Sequence, residues 1–218
     1  MSTTIRRGLF LTFEGLDGSG KTTQLRLFAE RLRACGETVI ETVEPGGTRI
    51  GGDIRRILLD PANDNLCSTA ELLLYFAARA QNVDEIVTPA TARGEIVISD
   101  RWTDSTWAYQ GFGRELGVDV VRKLDAIACR GRRPDLTLWI DVDLETCLRR
   151  TKARNDEADA ADRMDAQSRA FYERVLAGYR ALHEEEPERV LRVDGRGELE
   201  QVAERVAEAF EQYRSRHV

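Results

Sequence analysis

The sequence lacks the long apolar runs that membrane-spanning helices require. Its longest apolar run covers the seven residues 72–78, whereas a helix needs about 18–20 apolar residues to cross a bilayer. Near the N-terminus, Arg6 and Arg7 precede a short apolar run that ends at Glu14 without a small-residue cleavage site. We therefore expect no membrane partner and no signal peptide.

Cysteine and histidine are also scarce. The four cysteines stand far apart, at positions 35, 67, 129 and 147, without a Cys-x-x-Cys pair. This spacing indicates neither a disulfide framework nor a zinc site, and it favours free, buried thiols in a reducing cytoplasm. His183 and His217 have no neighbours in the sequence that suggest a metal site or a catalytic base.

Lysine is nearly absent, although the chain is rich in arginine. Of the 32 basic residues, only Lys21, Lys123 and Lys152 are lysines, and 38 acidic residues leave a net charge of −6. Coding bias accounts for most of this skew, but an arginine also holds phosphate or carboxylate at two points where a lysine acts as a point charge. The acidic balance is untypical of nucleic-acid-binding proteins, so we expect no such partner.

The chain is nevertheless apolar enough to fold, with 218 residues of which 42% are hydrophobic. Strands predicted at 9–13, 38–43, 95–99, 136–142 and 190–193 alternate with helical stretches, which is typical of a parallel sheet covered by helices. We predict a single α/β domain over residues 1–218, a doubly wound five-stranded parallel sheet flanked by helices. Helices are predicted at 22–34, 50–59, 68–91, 144–152, 166–186 and 199–214, with further helical segments before residue 130.

Local signals set some of these boundaries. Ser68 and Glu71 form the pattern of a capping box, which predicts a helix start at Ser68. Pro89 is expected to end or kink that helix. After the helix at 144–152, residues 154–163 are polar and charged, and they predict a segment outside regular structure.

The strongest motif is G-x-x-x-x-G-K-[ST] at residues 15–22, between a predicted strand and a predicted helix. Glycines allow the backbone to fold around a phosphate, and the helix N-terminus favours its charge. Lys21 would contact the β- and γ-phosphates, and the hydroxyl of Thr22 would bind Mg²⁺. The predicted nucleotide-binding residues are Gly15, Leu16, Asp17, Gly18, Ser19, Gly20, Lys21 and Thr22.

This loop alone does not name the reaction. The chain has no N-K-x-D motif of guanine-nucleotide switches, and it is shorter than motor and helicase ATPases. Four further segments carry charged or aromatic residues: EPGGT at 44–48, YFAAR at 75–79, Asp100-Arg101, and STWAYQG at 105–111. Because strand ends converge on one crevice in a doubly wound sheet, these segments would share a cleft with the loop.

In this order and spacing, the motifs closely resemble the bacterial thymidylate kinase family over almost the whole chain. The resemblance implies a P-loop NTPase fold, transfer of the γ-phosphate of ATP to dTMP with Mg²⁺ in dTTP biosynthesis, a cytoplasmic location and a homodimer. Two alternatives remain open: another nucleoside or deoxynucleoside monophosphate kinase, or a nucleotide sensor without turnover.

The resemblance also implies roles for single residues. Arg79 would bind the thymine edge, either Tyr75 or Phe76 would stack on the base, and Asp17 would contact the deoxyribose. Arg101 would hold the acceptor phosphate, Asp100 would hold Mg²⁺ through water, and Glu44 would begin the loop over the acceptor. The remaining pocket positions are Thr106, Tyr109 and Gln110. Without the resemblance, Tyr75 and Phe76 would be read as core residues, and Asp100 with Arg101 as a surface ion pair.

The loop position Gly18 resembles family members whose catalytic arginines come from a mobile lid, here residues 149–163. Arg154 is the preferred catalytic arginine, beside Lys21, Arg101 and Asp17, and Arg150 is assigned to adenine stacking. Arg149, Arg150 and Arg163 are the alternatives for the catalytic role. Trp102 stands where the family has Tyr or His, and the stretch 155–162 is longer and more acidic than the family's usual lid.

Overall fold

The computed structural model describes residues 8–158 and 162–217 of the chain. In this part, five strands form one parallel sheet in the order β2-β3-β1-β4-β5. The strands are β1 (Phe10–Glu14), β2 (Val39–Val43), β3 (Ile96–Asp100), β4 (Leu136–Asp141) and β5 (Val190–Asp194). The predicted doubly wound sheet flanked by helices is confirmed, and β1 lies at its centre.

Helices connect these strands on both faces of the sheet. They are α1 (Lys21–Ala34), α2 (Arg49–Leu59), α3 (Ser68–Asn82), α4 (Thr88–Ala92), α5 (Thr103–Thr106), α6 (Val118–Cys129), α7 (Leu144–Ala158), α8 (Arg169–Glu185) and α9 (Leu199–His217). Two π-helical segments, Val83–Val87 and Trp107–Gly113, follow α3 and α5 directly. None of the described helices is long and apolar enough to cross a membrane.

The strand β1 shows how the two cores form. Leu11 and Phe13 pack against α1 and α9, whereas Phe10 packs with α3 and Trp102 on the opposite face. Successive side chains of a strand point to opposite faces, so a central parallel strand buries both sets. Glu14 therefore faces the same side as Phe10, towards α8, where Tyr179 binds its carboxylate.

The helix start predicted at Ser68 is confirmed, but the signals proposed for the helix ends have mixed outcomes. The capping box at Ser68 and Glu71 is wrong: α3 begins at Ser68 after an N-cap residue without a side-chain hydrogen bond, and Glu71 is buried in the interior. Helical backbone then continues to Ala92, with a π-helical segment just before Pro89. In α8 the N-cap is Ser168, whose hydroxyl accepts a hydrogen bond from the Phe171 amide.

The end of α7 changes the picture of the predicted lid. The helix continues to Ala158, so Arg154 lies on a helix and not in an irregular stretch. Residues 159–161 of the lid lie outside the described residues. The cysteine prediction holds in part: all four thiols are free, but Cys35 and Cys67 are exposed, and only Cys129 and Cys147 are buried.

Candidate active site

The loop between β1 and α1 is shaped by glycines at close approaches of the backbone. Gly15 has φ +140°, and a Cβ atom there would lie 2.6 Å from the carbonyl oxygen of Ile140. Gly18 has φ +80° and lies against the carbonyl oxygen of Cys147. Helix α1 then begins at Lys21 without a side-chain cap, which leaves its first N–H groups open to an anion. The buried hydroxyl of Ser19 has no hydrogen-bond partner within the described chain.

Asp17 joins two cations at the mouth of this loop. Its carboxylate lies 3.0 Å from the ammonium of Lys21 and 2.9 Å from the guanidinium of Arg101. Burial alone would raise the pKa of Asp17, but the positive charges of Lys21 and Arg101 hold this pKa well below its usual range. Asp17 therefore stays ionised and orients both cations.

Two oxygen donors meet at the adjoining strand ends. Parallel pairing places Asp100, the last residue of β3, beside Phe13 of β1, and Thr22 in the first turn of α1 donates a hydrogen bond to the Asp100 carboxylate. The described residues contain no cluster of three His, Cys, Asp or Glu side chains suited to a metal. Mg²⁺ in nucleotide sites uses one or two carboxylates together with phosphate oxygens and water, so these two residues fit that ion.

Arg101 is held in place by its neighbours. Its backbone has φ +73°, which is unusual for a residue with a side chain. Its guanidinium donates to the carbonyl oxygen of Gly15 at 3.0 Å and to the hydroxyl of Ser105 at 2.9 Å, and it lies over the ring of Tyr109. The alternative of a surface ion pair with Asp100 is wrong, because Arg101 is largely buried and pairs with Asp17.

A first cavity, here the inner cavity, opens beside Arg101. It brings together most of the predicted pocket residues with several that were not predicted. Its lining includes Asp17, Glu44, Arg55, Tyr75, Arg79, Arg101, Trp102, Ser105, Thr106, Tyr109, Gln110, Asp162 and Met164. Tyr75 and Arg79 lie one helical turn apart on α3 and so share a face. Phe76 instead packs in the core, with the Arg79 guanidinium 4.9 Å from its ring centre.

Polar atoms are left without partners in the wall of the inner cavity. Arg79 is 1% exposed, and one terminal nitrogen donates to the hydroxyl of Thr106 at 2.9 Å. Its Nε and Nη1 and the Oε2 of Glu44 have no hydrogen-bond partner in the described chain, and Nε and Oε2 lie 3.9 Å apart. Because buried polar atoms without partners are costly, these atoms are suited to a polar ligand.

Glu44 is itself part of a buried polar group. Asn82 donates a hydrogen bond of 2.7 Å to its carboxylate and another to the hydroxyl of Thr42. Burial raises the pKa of Glu44 to about 7, and the charge of Arg79 opposes this rise. Glu44, the first residue of the EPGGT loop, thus lines the inner cavity with a buried carboxyl group.

A second cavity, here the outer cavity, adjoins the glycine loop. It is lined by residues 17–24 of the loop and α1 together with Glu44, Arg55, Asp100, Arg101, Arg150, Arg154, Asn155 and Asp162, among others. Arg150 donates to the carbonyl oxygen of Gly18 at 3.3 Å. Arg154 is more than half exposed and bonds to the side chain of Asn155. The two preferred lid arginines therefore lie at the mouth of the loop.

Arg163, an alternative for the catalytic role, points elsewhere. It is 7% exposed, its Nη2 lies 2.5 Å from the Glu71 carboxylate, and its Nε donates to the carbonyl oxygen of Leu58. Gln110 and Arg114 donate to the same carboxylate. These bonds hold the Glu71 pKa below its usual range although burial alone would raise it. These hydrogen bonds connect the segment that begins at residue 162 to α3, so Arg163 has a structural role.

Sequence reasoning missed Glu14 and Arg55, and it placed Glu71 in a capping box instead of the interior. A charge at the end of the apolar strand LFLTFE, on the same side as Phe10, was a usable signal for Glu14. For Arg55, which donates to the carbonyl oxygen of Pro45 and lines both cavities, the sequence offers no signal that separates it from the exposed Arg56.

Known proteins resemble this chain over nearly its full length. Residues 13–206 match the family model described as thymidylate kinase. The thymidylate kinase of Citrifermentans bemidjiense is 47% identical over 207 residues, which cover 94% of this chain and 92% of the relative. That of Geobacter sulfurreducens is 45% identical, with 93% and 96% covered.

A solved structure agrees with the sequence relatives. The crystal structure of thymidylate kinase from Ehrlichia chaffeensis has a TM-score of 0.75 and 32% identity, over 94% of this chain and 98% of that one. Its fold is the P-loop fold that the glycine loop and the parallel sheet indicated. The chain belongs to the thymidylate kinase family, and the reaction that it catalyses is the phosphorylation of dTMP to dTDP.

Proposed function

We propose that the phosphoryl donor is ATP with Mg²⁺, bound in the outer cavity, and that dTMP binds in the inner cavity. The observation that carries this proposal is that the two cavities adjoin, since five residues line both of them: Asp17, Glu44, Arg55, Arg101 and Asp162. The phosphoryl group has to pass between two bound nucleotides. The two arginines of this set lie at the boundary where the phosphates of the two would meet.

On the donor side, the open N–H groups at the start of α1, the Ser19 hydroxyl and Lys21 would bind the phosphates. Thr22 and Asp100 would hold Mg²⁺, which when bound neutralises charge on the donor phosphates. Arg150 would stack on the adenine, and Arg154 would reach the transferred group.

On the acceptor side, Tyr75 would stack on the thymine, and Phe76 would support Arg79 from below. The unpartnered nitrogens of Arg79 would bind the edge of the base. The other polar groups that contact the base or sugar would be Asp17, Glu44, Thr106, Tyr109 and Gln110, and Arg55 and Arg101 would hold the acceptor phosphate. The buried polar atoms of Arg79 and Glu44 that lack partners support this assignment, because hydrogen bonds to a ligand would offset the free-energy cost of their burial.

The chemistry needs little beyond this arrangement. The attacking atom is already a phosphate oxygen, so no general base is required. Repulsion between two anionic groups is the main obstacle, and cations fixed in advance reduce it without reorganisation during the reaction. Asp17 contributes by orienting Lys21 and Arg101 towards the two phosphates.

The donor assignment has a direct test. ADP release should require ATP, dTMP and Mg²⁺ together, stop when EDTA is added and return with excess Mg²⁺. The variant Lys21→Ala should lose about 100-fold or more in kcat, since it removes a positive charge that stabilises the transferred phosphoryl group. Full activity with EDTA, or unchanged kcat in Lys21→Ala, would contradict the proposal. dTMP binding without ADP release would instead favour the sensor alternative.

We also propose that the chain forms one kinase domain, works in the cytoplasm and assembles as a homodimer, with residues 149–163 as its lid. Helices α2 and α6 each pack against α3. All three helices carry exposed apolar side chains, which supports the homodimer. They are Ile57, Leu73, Val120 and Ile127, and the last is 73% exposed. A contiguous apolar surface is typical of protein–protein contacts.

A further inference from the structure

Glu14 is a fully buried carboxylate that lies behind the cavities and does not line either of them. It accepts hydrogen bonds from the amides of Trp102 at 2.7 Å and Ser105 at 3.3 Å. It also accepts hydrogen bonds from the hydroxyls of Ser105 and Tyr179. The donors come from the loop after β3, from α5 and from α8, so one carboxylate joins three elements.

Each of these donors leads to Arg101. The amide of Trp102 belongs to the residue directly after Arg101, at the turn where Arg101 adopts φ +73°. The hydroxyls of Ser105 and Tyr179 lie 2.9 Å and 3.4 Å from Nη1 of Arg101. Glu14 thus holds both the backbone turn and, through two bridging hydroxyls, the guanidinium of Arg101.

A carboxylate at this position is costly if it serves packing alone. Burial and the nearby charge of Asp104 raise the pKa of Glu14 to about 7, and the charge of Arg101 opposes this rise. An uncharged side chain of similar volume would fill the space more cheaply. A hydroxyl that donates to a carboxylate becomes a better acceptor for its next donor, so Glu14 strengthens the contacts of Ser105 and Tyr179 with Arg101.

We propose that Glu14 is a positioning residue that sets the orientation of the Arg101 guanidinium towards the acceptor phosphate. This inference rests on the proposed role of Arg101. It makes a specific demand, because Arg101 would contact the phosphate of dTMP and not its base. Loss of Glu14 should therefore weaken binding of the phosphorylated ligand and leave binding of the nucleoside unchanged.

The test compares dTMP with thymidine by calorimetry on the intact protein. Glu14→Gln should weaken dTMP binding about tenfold and change thymidine binding less than about twofold, a difference of one charge-assisted contact. Tyr179→Phe, which keeps the ring but removes one bridging hydroxyl, should shift the same ratio in the same direction by less. Equal weakening of both ligands in these variants would overturn the proposal.

Thr103→Val is the matched control. Thr103 lies on α5, two residues before Ser105; its hydroxyl donates to Asp125, and it makes no hydrogen bond to Glu14 or Arg101 within the described chain. This variant should lower the melting temperature without changing the ratio of dTMP to thymidine affinity. A changed ratio in Thr103→Val would show that general loosening of the region produces the effect, which would also overturn the proposal.

A double-mutant cycle separates this proposal from the one on which it rests. In an Arg101→Met background, Glu14→Gln should cause no further loss of dTMP affinity, because its effect passes through Arg101. Additive losses would overturn the positioning role while leaving the phosphate contact of Arg101 intact. If Arg101→Met itself leaves dTMP affinity unchanged, the proposed role of Arg101 fails first.

Discussion

At the scale of single residues, the site differs from its sequence description mainly in which way side chains point. Tyr75 and Phe76 are neighbours on α3, yet Tyr75 lines the inner cavity and Phe76 is 4% exposed in the core. Adjacent helix positions diverge by about 100° around the axis, so two adjacent aromatic residues rarely share a role. The sequence could name the pair, but only the packing of α3 separates them.

This difference gives a paired prediction. Tyr75→Ala should raise the KM for dTMP about tenfold or more, since base–aromatic stacking contributes about 1–3 kcal/mol. Phe76→Leu should raise this KM much less, because Phe76 contacts Arg79 and not the base, and it should lower the midpoint of urea unfolding. Steady-state kinetics and urea titrations check both. The reverse pattern would assign the stacking ring to Phe76.

A second residue-scale prediction concerns the lid arginines. Arg154→Ala should lower kcat about 100-fold and leave dTMP affinity unchanged, because a contact made in the transition state acts on rate. Arg149→Ala is the matched control, since Arg149 lies on the same helix and lines neither cavity. Arg149→Ala should keep the wild-type kcat. Wild-type kcat in Arg154→Ala would contradict the assignment and move the role to Arg150, or to Arg149 if Arg149→Ala lowers kcat.

At the scale of elements, strands and the P-loop were predictable because they rest on local patterns. Helix α7 was predicted too short because its apolar face ends before residues 153–157, which are mostly exposed. The prediction followed burial, whereas the helix continues on solvent-exposed residues. The capping role predicted for Glu71 was wrong for a related reason. The sequence pattern of a capping box is the same whether the side chain turns back to the helix end or into the interior.

The network around Glu71 carries an element-scale prediction. Glu71→Gln removes the charge that Arg114 and Arg163 share in the interior. The free energy of unfolding should fall by about 3 kcal/mol, the lower end for a broken buried ion pair, because Arg114 is partly exposed. Chemical denaturation measures this.

The control for that experiment is Glu85→Gln. Glu85 is exposed on the π-helical segment after α3 and bonds to Gln81. Its replacement should change the free energy of unfolding by less than about 0.5 kcal/mol. Equal effects of the two substitutions would mean that the Glu71 network contributes no more than a surface pair.

At the scale of the whole molecule, the fold gathers positive charge at one place in a chain that is acidic overall and poor in lysine. An enzyme that joins two anions has to gather positive charge, and the fold brings Lys21, Arg55 and Arg101 together from three separate segments. The motifs predicted most of this cluster, because parallel strands end at one edge. They could not predict Arg55 or Glu14, whose roles depend on the direction of side chains set by tertiary packing.

The homodimer gives the last prediction. Ile127→Glu places a charge on the most exposed large apolar side chain of α6, so it should yield monomers at concentrations where the wild type is dimeric, measured by light scattering. Leu199→Glu on α9, outside the α2, α3 and α6 surface, is the control and should remain dimeric. Since α3 carries Tyr75 and Arg79 on its other side, the monomeric variant should also bind dTMP more weakly. A monomeric wild type would remove the proposed dimer, and a dimeric Ile127→Glu would place its contact on another surface. In either case α3 would have to hold the acceptor site without support from a partner subunit.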